Sequence, residues 1–240
     1  MNYNAEPEIN AKKMIEHLNI AEKYLKYHIG DHIYKKIKFL YAAAFWEMGY
    51  TTKAPEYAQK TMALSDSLVE YCDSLEDSNE YAKAVYYKGK GHRLLSWINE
   101  NRDELIAAID SYDRALDFLD SEWNPDDYAR VYHRLGNAYR ELARFDNKNE
   151  YLQKAYKAYA EALRVRDKKG YSFWYAETLM SIGETDLLEA RIFGDADALD
   201  RAEKSFRRSL ITFTSSDYPI YHQRAENNLK QVRRLKGKFD

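Results

Sequence analysis

Residues 128–163 read YARVYHRLGNAYRELARFDNKNEYLQKAYKAYAEAL, and the fold of the whole chain can be read outward from them. Leu152, Ala155, Tyr159, Ala162 and Leu163 step by three and four, which puts them on one face of a helix. Sliding the chain along itself by 47 residues brings the same pattern back. Tyr34, Tyr81, Tyr128 and Tyr175 share one register, with Ala82, Ala129 and Ala176 following the last three. Gly89, Gly136 and Gly183 share another, as do Leu135, Ile182 and Leu229. In the other half of the period Leu105, Leu152 and Leu199 match, then Ala108, Ala155 and Ala202. Tyr112, Tyr159 and Phe206 follow, and then Leu116, Leu163 and Leu210. Agreement at so many positions marks a repeated supersecondary unit.

Each unit reads as two antiparallel helices, A then B, of about 18–20 residues, or about 27–30 Å at 1.5 Å per residue. The expected helices are 7–28, 31–49, 54–76, 79–98, 102–120, 125–143, 148–167, 171–191, 196–213 and 217–236. They form one domain over 1–240: a lone B helix (7–28), pairs 31–76, 79–120, 125–167 and 171–213, and a capping helix at 217–236. Met14, Leu18, Ala21 and Leu25 of the first helix align with Ala108, Tyr112, Ala115 and Leu119. The last helix is polar over most of its surface, as a cap requires.

Pro7, Pro55, Pro125 and Pro219 fall at expected first turns, where a missing N–H does no harm. Gly30, Gly49, Gly170 and Gly194 fall at expected connections, where a positive φ is often needed. Gly89, Gly136 and Gly183 lie inside helix A, where each costs about 1 kcal/mol relative to Ala, so a neighbouring helix should approach closely there. The 54–76 helix departs most from the pattern, with Thr61 and Ser65 where other units have Ala and Tyr.

Composition fits this reading. Among 240 residues there are 22 tyrosines but only 9 glycines and 4 prolines, which excludes collagen-like, linker-dominated and turn-rich all-β chains. Lys and Arg total 37 against 39 acids, a net charge of −2, which is not the footprint of a general nucleic-acid binder. Cys72 is the single cysteine, so an internal disulfide, a thiolate zinc cluster and a CxxC redox site are excluded. No basic-then-apolar leader opens the sequence, and no apolar run approaches the ~20 residues of a membrane span. A cytoplasmic protein is expected.

The pattern Tyr132-x2-Leu135-Gly136-x2-Tyr139, followed by Ala155, Tyr159 and Ala162, resembles the tetratricopeptide repeat signature. The match is good over 81–210 and degenerate at both ends, where Ala42 and Lys230 replace the glycine. The family period is about 34 residues, against 47 here, so the helices or their turns are lengthened. The usual proline after helix B is also missing, with Asp167 in its place. The resemblance implies an all-α fold, a right-handed α-solenoid of antiparallel helix pairs.

It also implies a concave groove lined by positions 2, 5, 9 and 12 of helix A, counting the glycine as 8. In this sequence these are Lys36, Phe39, Ala43 and Trp46, then Lys83, Tyr86, Lys90 and Arg93. Arg130, His133, Asn137 and Arg140 come next, then Glu177, Met180, Glu184 and Leu187. The terminal helix adds Arg224, Asn227, Gln231 and Arg234. Stacked helices would merge Lys83, Lys90, Arg93, Arg130 and Arg140 into a cationic patch for an acidic peptide, a chain-terminal carboxylate or a phosphate. Phe39 and Trp46 would supply an apolar anchor beside it. The family's carboxylate clamp is not reproduced, because Glu177 and Met180 stand where bases would be needed.

Catalytic chemistry has little to stand on. His28 and His32 flank a turn glycine with no third metal ligand evident, and His133 near Arg130 has no partner acid assigned. Cys72 has Asp73 beside it and no basic neighbour in sequence to lower its pKa. No GxxxxGK[ST], GxSxG or HExxH string occurs. The tyrosine- and lysine-rich run from Tyr81 to Lys88 is read as core packing rather than base stacking. The expectation is a non-catalytic adaptor without cofactor or metal, binding a protein or peptide. An RNA- or phosphate-binding helical array and a scaffold self-assembling through its ends are the other readings.

Overall fold

The computed structural model describes residues 7–25, 31–74, 77–166 and 172–237. Among them are ten α-helices and no strand: α1 (Pro7–Leu25), α2 (Asp31–Thr52), α3 (Pro55–Ser74), α4 (Ser78–Asn99) and α5 (Arg102–Leu116), then α6 (Pro125–Leu142), α7 (Lys148–Arg166), α8 (Phe173–Phe193), α9 (Ala196–Thr212) and α10 (Pro219–Lys236). Every expected helix is present. His28, Gly30 and Gly170, together with the side chains of Ala21, Leu25 and Asp73, lie outside the described residues. The fold class is all-α, a solenoid-type succession of helix pairs.

Two compact units make up the chain, 1–120 and 121–240. In the first, α1 packs on α2, α2 on α3, α3 on α4 and α4 on α5, with α2 also touching α4. In the second, α6 packs on α7, α7 on α8, α8 on α9 and α9 on α10, with α8 touching both α6 and α10. The even-numbered helices are therefore the A helices and the odd-numbered ones the B helices.

The repeated glycines explain how A meets B. A Cβ on Gly89 would lie 2.6 Å from Tyr112 Cε1, on Gly136 2.5 Å from Tyr159 Cε1, and on Gly183 2.8 Å from Phe206 Cε1. Each ring sits 23 residues beyond its glycine, is fully buried, and fills the notch left by the missing side chain. The first pair keeps the register and exchanges the sizes: Ala42 takes the glycine position and Ser65 the ring position, both fully buried. The departure at Thr61 and Ser65 is thus one half of a compensated swap. Their hydroxyls turn back onto their own helix, Thr61 Oγ1 donating to Tyr57 O at 2.8 Å and Ser65 Oγ to Thr61 O at 2.8 Å.

The A–B connections carry a second repeat. Lys53, Glu100, Asn147 and Gly194 all have positive φ (55°, 52°, 41° and 68°), and each is 47 residues from the next. Only one of the four is glycine, so the left-handed turn residue belongs to the architecture rather than to a residue type. Gly49 corrects the expectation placed on it. It lies inside α2, which runs on to Thr52, and Lys53 makes the turn instead, its N–H donating to Gly49 O at 3.0 Å. Gly49 serves close packing, since a Cβ there would lie 2.7 Å from Leu94 Cδ2.

Side chains close the helix starts. Asn101 accepts from Asp103 N and Asp195 from Asp197 N, both at 2.9 Å, at the starts of α5 and α9. Pro125 and Pro219 occupy first turns, as expected from their fixed φ. The register tyrosines serve the same pairs. Tyr81 receives a hydrogen bond from Arg114 and Tyr175 one from Arg208, each 33 residues on. In the repeat between them that place holds Glu161, and Tyr128 donates to it at 3.3 Å.

Candidate partner-binding surface

The positions expected to line a groove meet one another between successive A helices. In the first unit, position 5 of α2 meets position 2 of α4: Lys83 Nζ lies 4.4 Å from the centre of the Phe39 ring. Position 12 of α2 meets position 9 of α4 in the same way, with Lys90 Nζ 3.8 Å from the Trp46 ring. Both pairs are 44 residues apart, one period less a helical turn. Lys83 also faces Glu80 at 3.6 Å. Lys90 is only 8% exposed and lies within 4.8 Å of the Tyr87 ring. Burial raises the pKa of Glu47, against the pull of Lys90.

From Trp46 the aromatic contacts continue outward. Tyr50, one turn on, stacks on Trp46 at 5.6 Å, and Trp97 of α4 stacks on Tyr50 at 5.3 Å, with interplanar angles of 22° and 20°. Lys53 Nζ lies 5.3 Å from the Trp97 ring. The run Lys90–Trp46–Tyr50–Trp97–Lys53 is therefore flanked by two ammonium groups, an arrangement favoured by the negative potential of ring faces. Tyr50 is 48% and Trp97 43% exposed, although both are large and aromatic. Tyr50 and Trp97 share a register, 47 residues apart at position 16 of helix A, outside the set of positions carried over from the resemblance. That shared register was the available signal.

In the second unit the same ladder is built from base and acid. Arg140 at position 12 of α6 donates to Glu184 at position 9 of α8, 2.8 Å, and Arg224 of α10 donates to the same carboxylate at 2.8 Å. Burial works against the charge of Glu184, yet Arg140 and Arg224 hold its pKa below the usual value. His133 at position 5 lies 3.7 Å from Glu177 at position 2 of α8, which also faces Arg134 at 3.6 Å. His133 Nδ1 is 3.1 Å from Thr178 Oγ1, its Nε2 is 3.1 Å from Asn137 Nδ2, and Tyr159 donates to Asn137 Oδ1 at 2.9 Å. Arg130 donates to Asp127 at 2.6 Å.

Several residues expected to face a partner are therefore enclosed. Phe39, Tyr86, Lys90, His133, Asn137 and Met180 are buried, and within each unit position 5 of one A helix lies against position 2 of the next, as in Phe39–Lys83 and His133–Glu177. Lys36 remains exposed, and Lys83, Trp46, Arg93, Arg130, Arg140, Glu177 and Glu184 are part-buried. Burial pushes the Cys72 thiol up to about 11, in keeping with an unreactive cysteine. Among the described residues no group of three or more His, Cys, Asp or Glu could hold a metal ion. No described helix is long and apolar enough to cross a membrane.

No protein-family model and no curated protein matches the chain. Among solved structures, it is similar at 13% identity and a TM-score of 0.33 to one titled "DHF58 filament", over 86% of this chain and 94% of that one. It is also similar, at 13% identity and a TM-score of 0.26, to the crystal structure of de novo designed helical repeat protein DHR64, over 97% of this chain and 95% of the other. At such TM-scores neither likeness bears on the surface.

Proposed function

We propose that the chain is a non-catalytic interaction module that holds a segment of a partner protein on the A-helix surface of its first unit. The observation that carries this reading is the exposure of Tyr50 and Trp97 within a stacked, lysine-flanked aromatic run. Tyr and Trp dominate binding hot spots, and a stack already ordered in the free protein loses little entropy when a partner covers it. Exposed Lys53 borders the outer end of the run, so the favoured segment is acidic, as charge complementarity asks. The second unit contributes less to this reading, since Arg130 and Arg140 already hold Asp127 and Glu184.

The test is co-purification from the native host with mass spectrometry, comparing the native protein with a Tyr50→Ala/Trp97→Ala variant of equal helicity. Both side chains are exposed, so the variant should fold. Proteins recovered by the native chain and lost by the variant support the reading. Identical recovery by both, or no recovery above control, overturns it.

A further inference from the structure

Along α2 the side chains of Lys36, Leu40, Ala43, Glu47 and Tyr50 step by four, three, four and three, which places them in one stripe about 21 Å long. That spacing is the seam by which one helix packs along another. On α2 the stripe is open: Lys36 and Tyr50 are exposed, Leu40 is 39% exposed, and Ala43 and Glu47 are part-buried. We propose that it seats a helix of a partner protein, laid beside α2 as a further A helix, with bulky apolar or aromatic residues at i, i+7 and i+11 of its contact face.

The same register on the second A helix of each unit shows what fills such a stripe. On α4 it is Lys83, Tyr87, Lys90, Leu94 and Trp97, and α2 packs over it. Positions 2 and 6 hold the Phe39 ring of position 5, with Lys83 Nζ at 4.4 Å and the Tyr87 ring at 5.9 Å. Position 9 meets position 12, Lys90 on Trp46, and position 16 meets position 16, Trp97 on Tyr50. On α8 the occupant is α6. Glu177 faces His133 and Glu184 takes Arg140, again position 2 on 5 and 9 on 12, and Arg140 also donates to Ser181 O of position 6 at 3.3 Å. In both units the stripe is therefore the seat of a helix, and the positions correspond in the same way.

Carried one helix back, this correspondence specifies the partner. Its position 5 falls between Lys36 and Leu40, where an aromatic ring would take the ammonium over its face as Phe39 takes Lys83. Its position 12 falls on Ala43, whose small side chain admits a ring in place of the lysine that α4 has there. Its position 16 stacks on Tyr50, as Tyr50 stacks on Trp97. Glu47 stands where α4 has Leu94, so a hydrogen-bond donor is wanted opposite it. The chain's own last A helix fits poorly, with Asn227 and Arg234 at positions 5 and 12, which favours a partner over the end of a second copy. An amphipathic helix laid along an apolar stripe is a common mode of recognition. The seat deepens the reading above and rests on it, because Tyr50 belongs to both surfaces.

The probe is a synthetic peptide of residues 31–52, which carries Phe39, Trp46 and Tyr50 at the required spacing and already packs over the α4 stripe within the chain. Fluorescence anisotropy of the labelled peptide with the full chain should show saturable binding. Leu40→Glu in the chain, on an exposed side chain, should weaken it by about tenfold or more at unchanged helicity. Phe39→Ala/Trp46→Ala in the peptide should weaken it as much. No saturable binding, or native affinity with either altered molecule, overturns the seat; native affinity in Leu40→Glu would mean that the peptide displaces α2 from α4 instead. Leu40 is untouched in the Tyr50→Ala/Trp97→Ala variant, so a failed seat leaves the co-purification result standing.

Discussion

Gly136 stands 2.5 Å, measured from where its Cβ would be, from the ring of Tyr159, so the helix tolerates no side chain at that point. On helix propensity alone Gly136→Ala should add about 1 kcal/mol. Tyr159 is fully buried and bonded to Asn137, so it cannot retreat. Overpacking of this kind costs about 1–3 kcal/mol. The variant should therefore be destabilised, with a lower midpoint in urea at unchanged slope. A midpoint above the native value would show that the ring yields.

The left-handed turn residues predict gains as well as losses. Glu100 holds φ 52° with a side chain that disfavours it, at the same register where Gly194 holds 68°. Glu100→Gly should stabilise by about 1 kcal/mol, and Gly194→Ala should cost about as much. Thermal melts of both variants would check this, and a Glu100→Gly protein melting below native would contradict it. Lys53→Gly is a poorer test, because it also removes the ammonium beside Trp97.

Asp186 makes stability depend on pH in an unusual direction. Burial pushes its pKa up to about 6, against hydrogen bonds from Tyr156 of α7 and Arg201 of α9, with neighbouring Glu189 pushing the same way as burial. Asp195 completes the charges around Arg201, at 3.5 Å. A carboxyl that binds its proton more tightly when folded stabilises the fold at low pH, and that contribution fades as pH rises through about 6. Asp77, Glu184 and Glu203, with lowered pKa values, act in the opposite sense. The comparison should therefore be between Asp186→Asn and native protein. The variant's stability relative to native should rise between about pH 4 and pH 8; a flat or falling difference would refute the assignment.

Periodicity carried most of the fold. The steps at Leu152, Ala155 and Tyr159 and the recurrence at 47 residues located every helix, because burying one face imposes a spacing that sequence displays directly. What it could not display is why a given glycine is there. Gly49 and Gly194 look alike in sequence, yet one accepts Leu94 against its backbone and the other supplies a positive φ. The turn register was hidden for the converse reason: Lys53, Glu100 and Asn147 share a conformation and no chemistry. The candidate surface was half legible. Positions 2, 5, 9 and 12 of helix A do belong together, but as partners of the next A helix, a relation that depends on how helices cross rather than on spacing within one.

That relation governs how such an array can change. Trp46 takes Lys90 over its ring, and Arg140 donates to Glu184, with positions 12 and 9 meeting in both seams. A copy of the α4 helix placed directly after α6 would bring the ammonium of Lys90 against the guanidinium of Arg140. Repeats of this chain are consequently not interchangeable parts. Each seam stipulates its neighbour, and a duplicated or shuffled unit would have to mutate on both sides before the order could be rewritten.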